Sequence, residues 1–447
     1  MKSVNETDSG AVRWPKLIAC MIAMMAIANL QYAWTLFTTD LTKSLQARLD
    51  QVQWTLTFFI IAQTALFPIS AYLVDRFGPR LIVTLAALLV AVGWIGAGRV
   101  NSLPALYGVY AIGGIGVGAV YSACVGVAMK WFPDRRGLCV GMVAGSYGFG
   151  TALTTWPIAY LIEHQGYRTA FVAFGALQGV VVLVAAQFLR MPIAGWAPVG
   201  WEVIKAKVQR SVHQSSRDYA PTEMLRSGSF YLLYLMMTLV TASGLMLTAQ
   251  LKPIGVTYSY DKYALFGGFT VLTLTLSVNQ VLNGAARPFF GWVSDRIGRY
   301  DTMAIVFVME AITITVLTLV VARPFWFIAI SALMFFAWGD IYSLFPAAIA
   351  DIFGAKHATT NYGIQYTAKG IGSILGGPGA ALLMAATHSW IPVFWSAVAC
   401  NVIAAILAVL WLKPRVARLV SEQRGEPTVL PTAAAARAKG APAGASE

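Results

Sequence analysis

The sequence predicts an all-α membrane protein with twelve transmembrane helices in two six-helix bundles. Four observations predict it. The chain is 58% hydrophobic and only 11% charged, with mean hydropathy +0.66, whereas soluble domains carry roughly a quarter charged residues. Apolar stretches near twenty residues recur along most of its 447 residues, each long enough to cross a ~30 Å hydrocarbon core. The period-two alternation of a β-barrel is absent, and the two halves of the chain resemble each other.

The spans fall at 15–37, 53–74, 80–98, 103–129, 137–160, 168–190, 228–250, 266–290, 302–321, 324–349, 362–386 and 390–412. The first follows a polar start, MKSVNETDSGAVRW, and has no A-x-A cleavage site, so it reads as an uncleaved signal anchor. Span 2 ends in the turn DRFGPR at 75–80, which recurs after span 8 as DRIGRY at 295–300. Basic residues in such turns cap helix C-termini and pair with acids. KWFPDRRG at 130–137, after span 4, has a weaker echo in DIFGAKHA at 351–358, after span 10. Span 5 carries Gly137, Gly141 and Gly145, span 4 Gly114 and Gly118, and span 11 Gly372 and Gly376. This small-xxx-small spacing lets helix backbones approach closely. The organisation is a tail at 1–14, a bundle at 15–190, a cytoplasmic linker at 191–227, a bundle at 228–412 and a disordered Ala/Pro/Gly-rich tail at 413–447.

The formal net charge of +13 does not imply a nucleic-acid partner. With both termini cytoplasmic, Lys and Arg divide into about 23 cytoplasmic, 7 external and 2 intramembrane. That is the positive-inside bias, and it sets the orientation. Anionic lipid is the expected neighbour of the linker, which holds Lys205, Lys207, Arg210, Arg217 and Arg226, and of the C-terminal tail. Cys20, Cys124, Cys139 and Cys400 form no C-x-x-C pair, and the four histidines are scattered. No disulfide framework, metal site or cofactor is expected. An enzyme would need a nucleophile–base pair or metal ligands, which the sequence does not offer.

Two residues carry the functional reading. Arg287 lies in LSVNQVLNGAARPFFGWVSD and Lys369 in NYGIQYTAKGIGSILGG, and both runs must cross the bilayer. Each is eight residues from a cytoplasmic landmark, Asp295 and Asn361. At 1.5 Å rise both are roughly 12 Å deep, near the midplane. A cation there is costly and marks a functional site. Two at matched depth point to a buried anion; the alternative is that buried acids neutralise them.

Polar and aromatic residues share their faces. On span 8, Gln280, Asn283 and Arg287 align; on span 11, Tyr362, Gln365, Tyr366, Lys369 and Ser373; on span 10, Trp338, Tyr342 and Phe345. Span 1 adds Gln31, Tyr32 and Trp34, span 4 Tyr121, and span 5 Tyr147. Arg grips a carboxylate with a planar fork, Lys adds a compact charge, and aromatic faces wall the space. Asp340 on span 10 and Glu310 on span 9 lie near the same depth. Each is a candidate proton carrier or salt-bridge partner of the cations, the alternative being a structural buried acid.

Several segments carry a family resemblance. Gly291-x-x-x-Asp295-Arg296-x-Gly298-Arg299 resembles the loop signature of the major facilitator superfamily, with Asp75 and Arg76 in the first-half copy. That copy departs in Ala71 and Pro79. ANLQYAWTLF, GVGAVYSACVGVAMKWFPDRRGL, FFAWGDIYSLFP, DIFG and NYGIQYTAKG resemble the oxalate:formate antiporter family within that superfamily. The resemblance covers nearly all of 14–412. It implies the major facilitator fold, a central cavity between the halves, carboxylate binding by Arg287 and Lys369, and a lining of Tyr32, Tyr121, Tyr147, Trp338 and Tyr342. Tyr366 stands where the family has Trp, Gln365 replaces an apolar residue, and Asp340 replaces glycine. The expected activity is exchange of small carboxylates by alternating access across a bacterial inner membrane, by a monomer. Proton-coupled monocarboxylate symport and a non-transporting carboxylate sensor are the alternatives.

Overall fold

The computed structural model describes residues 12–193, 196–198, 214–215, 217–260, 262–263 and 270–424. The segment before residue 12, residues 194–195, 199–213 and 216 of the 191–227 linker, and the tail from 425 lie outside the described residues.

Among the described residues the chain forms twelve helical rods. In order they are Arg13–Ile27 with Asn29–Tyr32 and Trp34–Ser44; Leu49–Ala65 with Phe67–Phe77; Pro79–Ala97; Leu103–Trp131; Arg136–Gln165; Tyr167–Phe188; Gly228–Thr257; Val271–Ile297; Arg299–Val320; Pro324–Trp338 with Ile341–Phe353; Ala358–Ile374 with Leu375–Gly379 and Ala380–Thr387; and Ile391–Ile406 with Leu407–Leu412 and Lys413–Arg424. Span numbers 1 to 12 below follow this order. Helix is the form that satisfies every backbone N–H and C=O within one segment when no water is at hand.

Eight of the rods contain helices long and apolar enough to cross a membrane by themselves, and the two pieces of span 2, bent by 43°, make a ninth. Spans 5, 8 and 11 are not among those found in the described residues. The most apolar windows of spans 3, 6, 9 and 12 are each 44% buried, against 89% for span 4. The former therefore sit at the periphery, with Leu81, Leu85, Leu177, Val184, Ile312 and Leu319 exposed as a lipid-facing belt.

Span 12 does not stop at residue 412. Its helix continues to Arg424, which corrects the disordered tail expected from 413. Val416 and Val420 are buried on one face, and Lys413 Nζ bonds Asp301 Oδ1 at 2.6 Å. An apolar stripe and an ion pair hold a segment whose composition alone reads as polar.

The halves meet where span 5 packs along span 8 and span 11 along span 2. A Cβ at Gly141 would meet the Arg287 carbonyl group, 2.7 Å from its carbon, and would fall 2.8 Å from Pro288 Cα. Only glycine lets these two helices touch at this depth.

The charged loops form a lock across the halves at one end. Asp75 accepts from Lys130 Nζ at 2.7 Å and from the Thr360 N–H at 2.8 Å, at the start of span 11. Asp295 accepts from the N–H groups of Gly137 and Leu138 at 3.0 Å each, at the start of span 5, and from Arg299 Nη1 at 2.6 Å. In each case a carboxylate from one half caps the positive end of a helix in the other. Asp351 receives Arg136 at 2.5 Å and Arg299 Nε at 2.8 Å. Gly78 and Gly298 end the two DR turns at φ +83° and +101°, the left-handed region that favours glycine, which explains the shared D-R-x-G. Of the expected loop residues, Asp75, Asp295 and Arg299 join the lock. Arg76 instead bonds Tyr72 Oη at 2.9 Å, and Arg296 stacks on Trp292 at 3.9 Å.

Candidate substrate-binding site

The site forms where helices that are polar for a membrane are forced together. Span 8 brings Arg287 to the span 5 contact, where Nη1 donates to the Ala144 carbonyl at 2.6 Å. Nη2 donates to Asn283 Oδ1 at 2.8 Å, one turn earlier on the same helix, and Nε has no partner. Span 11 brings Lys369, whose ammonium uses one of its three donors, on Tyr366 Oη at 3.0 Å. Both cations lie against one ring: Arg287 Cζ is 4.5 Å and Lys369 Nζ 5.6 Å from the Tyr342 centroid. They are 1% and 6% exposed, and neither has a carboxylate within 4.0 Å among the described residues.

Tyrosines supply the walls. Tyr32 and Tyr147 meet edge-on at 5.4 Å, Tyr121 lies 5.8 Å from Tyr147, and Tyr366 lies 5.4 Å from Tyr121. Tyr147 Oη donates to Gln31 Oε1 at 3.1 Å, and the Tyr121 hydroxyl has no partner. Phe67, on the second piece of span 2, stacks on Tyr366 at 4.3 Å and supports it from behind.

Gln31, Tyr32, Gln63, Tyr121, Tyr147, Arg287, Tyr342, Tyr366 and Lys369 enclose a cavity of about 200 Å³, of which about 10 Å³ admits the centre of a water-sized sphere. That is room for roughly one water, so the site is shut around a very small volume. Chemically it is a cage of two cations, hydroxyls and aromatic faces, suited to a small, flat anion.

Of the expected residues, Arg287, Lys369, Gln31, Tyr32, Tyr121, Tyr147, Tyr342 and Tyr366 come together here. Three stand elsewhere. Trp34 packs on Tyr110 at 4.8 Å: the span 1 helix is interrupted at Ala33, which turns the indole into the N-terminal bundle. Trp338 is 6.0 Å from the Tyr342 ring but does not line the cavity; its indole lies against Gly244 of span 7. Asn283 positions Arg287 and donates to the Phe335 carbonyl at 3.1 Å.

Neither acid pairs with a cation among the described residues. Glu310 accepts from Ser243 Oγ at 3.0 Å, and Ser243 in turn accepts from Asn401 Nδ2 at 2.6 Å. Asp340 sits in the break between the two pieces of span 10, fully buried, with both carboxylate oxygens unpartnered. The candidate salt bridge from either acid to Arg287 or Lys369 is therefore not formed among the described residues, which leaves the structural and proton-carrying readings. Asp340, two residues from both Trp338 and Tyr342, points away from the tyrosine face, and span 9 holds Glu310 among polar side chains of spans 7 and 12.

Gln63 is the residue that sequence reasoning missed. It is 1% exposed, lines the cavity, and neither its amide oxygen nor its nitrogen has a partner. The available signal was a lone amide inside the apolar run FFIIAQTALFP, three residues before the bend at Leu66.

Comparison with known proteins follows the same lines. The Major Facilitator Superfamily profile matches residues 18–273 and 266–442. The chain is 34% identical over 411 residues to the oxalate:formate antiporter of Oxalobacter formigenes, covering 92% of this chain and 94% of that protein. Monocarboxylate transporter 6 of Homo sapiens is 22% identical over 408 residues, 88% of this chain and 79% of that one. Among solved structures, the proton:xylose symporter XylE superposes with TM-score 0.71 at 14% identity, over 90% of this chain and 96% of that one, a likeness of fold alone. With a profile match along nearly its whole length and a relative above 30% identity, this chain belongs to the major facilitator superfamily of integral membrane transporters.

Proposed function

We propose that the protein is a secondary transporter of small carboxylate anions, working by oxalate/formate-type exchange. One observation carries the reading. Arg287 and Lys369 are buried against the same ring with no carboxylate partner among the described residues, around a cavity too small for a sugar. Two uncompensated cations in low dielectric call for an anion of matching charge. A dicarboxylate meets both. The relative that is 34% identical carries the name of an oxalate:formate exchanger, which supports the same substrate class. The site residues in this proposal are the nine that line the cavity, with Asn283 and Phe67 positioning them.

The lock at the charged-loop end supports alternating access, with that end closed. The Lys/Arg distribution supports a bacterial inner-membrane location with both termini cytoplasmic. Cysteines placed in the 191–227 linker would then resist impermeant thiol reagents in intact cells. The carrier works as a monomer, without cofactor.

Counterflow in proteoliposomes against labelled oxalate, formate and other mono- and dicarboxylates tests the substrate class. Accumulation of at least one dicarboxylate is expected. Absence of flux with every carboxylate would sink the reading, and anion binding without flux would make the protein a sensor. A second reading, proton-coupled monocarboxylate uptake, is favoured by Asp340, whose two oxygens are buried and unpartnered.

A further inference from the structure

A second cavity, of about 610 Å³, lies far from the tyrosine cage, between the start of span 7 and the helix that continues span 12 past Leu412. Its volume is in the range of ligand sites. Its lining is unusual in sign. Arg226, Arg415 and Arg418 line it, against one acid, Glu422. None of the three arginines has a carboxylate within 4.0 Å among the described residues.

The same cavity takes in the N-terminus of span 7, a helix of 30 residues. Its first turn presents backbone N–H groups and the positive end of the helix dipole. The Ser227 hydroxyl accepts from the Ser229 N–H at 3.3 Å. Arg415 lies directly over this turn: a Cβ on Gly228 would fall 2.7 Å from its guanidinium carbon. A cation on the positive end of a helix, flanked by two more, is a like-sign cluster that an anion between them would reverse. A second observation is independent of the charges. Ser229 lines the cavity, is 1% exposed, and its hydroxyl has no partner.

The rim identifies the source of the anion. Leu410 and Trp411, at the end of span 12, line the cavity and are 62% and 54% exposed. They belong to the lipid-facing side of a peripheral span. The cavity thus opens where acyl chains give way to water, the depth at which headgroup phosphates lie.

We propose that this cavity binds the phosphate of an anionic phospholipid, with Arg226, Arg415 and Arg418 and the first turn of span 7 as its donors. The bound phosphate would clamp the span 12 extension onto span 7.

The full chain, purified in detergent, tests this with phosphatidylglycerol, phosphatidylcholine and inorganic phosphate as probes. Native mass spectrometry should show one retained phosphatidylglycerol, and the melting temperature should rise with that lipid and not with phosphatidylcholine. In the Arg415→Gln/Arg418→Gln variant retention should fall at least tenfold and the thermal shift should vanish. Arg226→Gln, on the exposed loop, should lower retention by a smaller factor and covers the case in which the double variant does not assemble. Equal retention and equal shift in wild type and in the variants would overturn the site. Stabilisation by inorganic phosphate as large as that by phosphatidylglycerol would keep the phosphate chemistry and overturn the lipid as its source.

Discussion

Replacing Gly141 by alanine perturbs the contact on which the site depends. The added Cβ would lie 2.7 Å from the Arg287 carbonyl carbon, where ordinary contact begins near 3.4 Å. Spans 5 and 8 must then separate by about 1 Å, an overpacking cost of about 1–3 kcal/mol. The same movement stretches the 2.6 Å bond from Arg287 Nη1 to the Ala144 carbonyl out of range, and a hydrogen bond from a charged donor is worth about 1.5–3 kcal/mol. Together the arrangement seen here loses about 2.5–6 kcal/mol relative to one in which these helices part. The equilibrium between them moves by roughly two to four powers of ten. Ser294, fully buried beside the Gly137–Gly291 contact, reports on it. In a background with the four native cysteines replaced by serine, Ser294→Cys should react with a soluble maleimide roughly 100-fold faster when Gly141→Ala is added. Counterflow should fall in parallel. Gly108→Ala, where the new Cβ meets nothing within 4 Å, should change neither. Unaltered thiol reactivity and wild-type counterflow in Gly141→Ala would refute the claim that this contact sets the conformational balance.

Four further outcomes are expected. Lys369→Ala should lower dicarboxylate counterflow by roughly 100-fold, the worth of one charge-assisted contact, while the protein stays in the membrane; near-normal exchange would remove Lys369 from the site. Gln63→Leu should raise the KM for substrate by roughly 5–30-fold with a smaller effect on kcat, since it removes a neutral hydrogen-bonding group; an unchanged KM would mean that the amide does not touch the anion. Asp340→Asn separates the two coupling readings: if Asp340 carries a proton, wild-type uptake rises as external pH falls, and the variant loses that dependence but keeps exchange, whereas an unchanged pH profile with reduced expression marks a structural acid. Vesicles loaded with substrate should exchange much faster than substrate-free vesicles take it up, because two cations packed on one ring repel until an anion separates them, by roughly 4 kcal/mol for unit charges at 4 Å and an effective dielectric near 20 and by less at longer range; equal rates would defeat that argument.

Much of this was legible in the sequence. Arg287 and Lys369 could be picked out because a cation inside an apolar run has few explanations, and their shared depth follows from counting residues along a helix. Tyr342 and Tyr366 followed from helical periodicity, and Tyr32, Tyr121 and Tyr147 from the family resemblance. Periodicity fails where a helix is interrupted. The break at Ala33 shifts the phase of span 1, so Trp34 leaves the face that Gln31 and Tyr32 share. The break at Gly339 and Asp340 does the same in span 10 and separates Trp338 from the cavity that Tyr342 lines. Gln63 escaped notice because a lone amide in an apolar run does not show which face it occupies; packing against the other spans puts it at the cavity. The helix from Lys413 to Arg424 escaped because its apolar stripe is narrow and its partner, Asp301, is more than a hundred residues away.

The polarity of span 8 bears on how the protein is made. A segment with Asn279, Gln280, Asn283 and Arg287 enters lipid poorly by itself, since a mid-helix arginine alone opposes insertion by roughly 2.5–3.5 kcal/mol. Span 8 therefore needs a receiving surface as it leaves the ribosome. Span 5, synthesised more than a hundred residues earlier, has that surface ready: a glycine groove and the Ala144 carbonyl that accepts Arg287. The N-terminal bundle thus offers a template on which the Arg287-bearing helix of the second bundle can be admitted to the membrane. Weakening the groove would be felt first during biosynthesis, as retention of span 8 at the insertion machinery, before any substrate is bound.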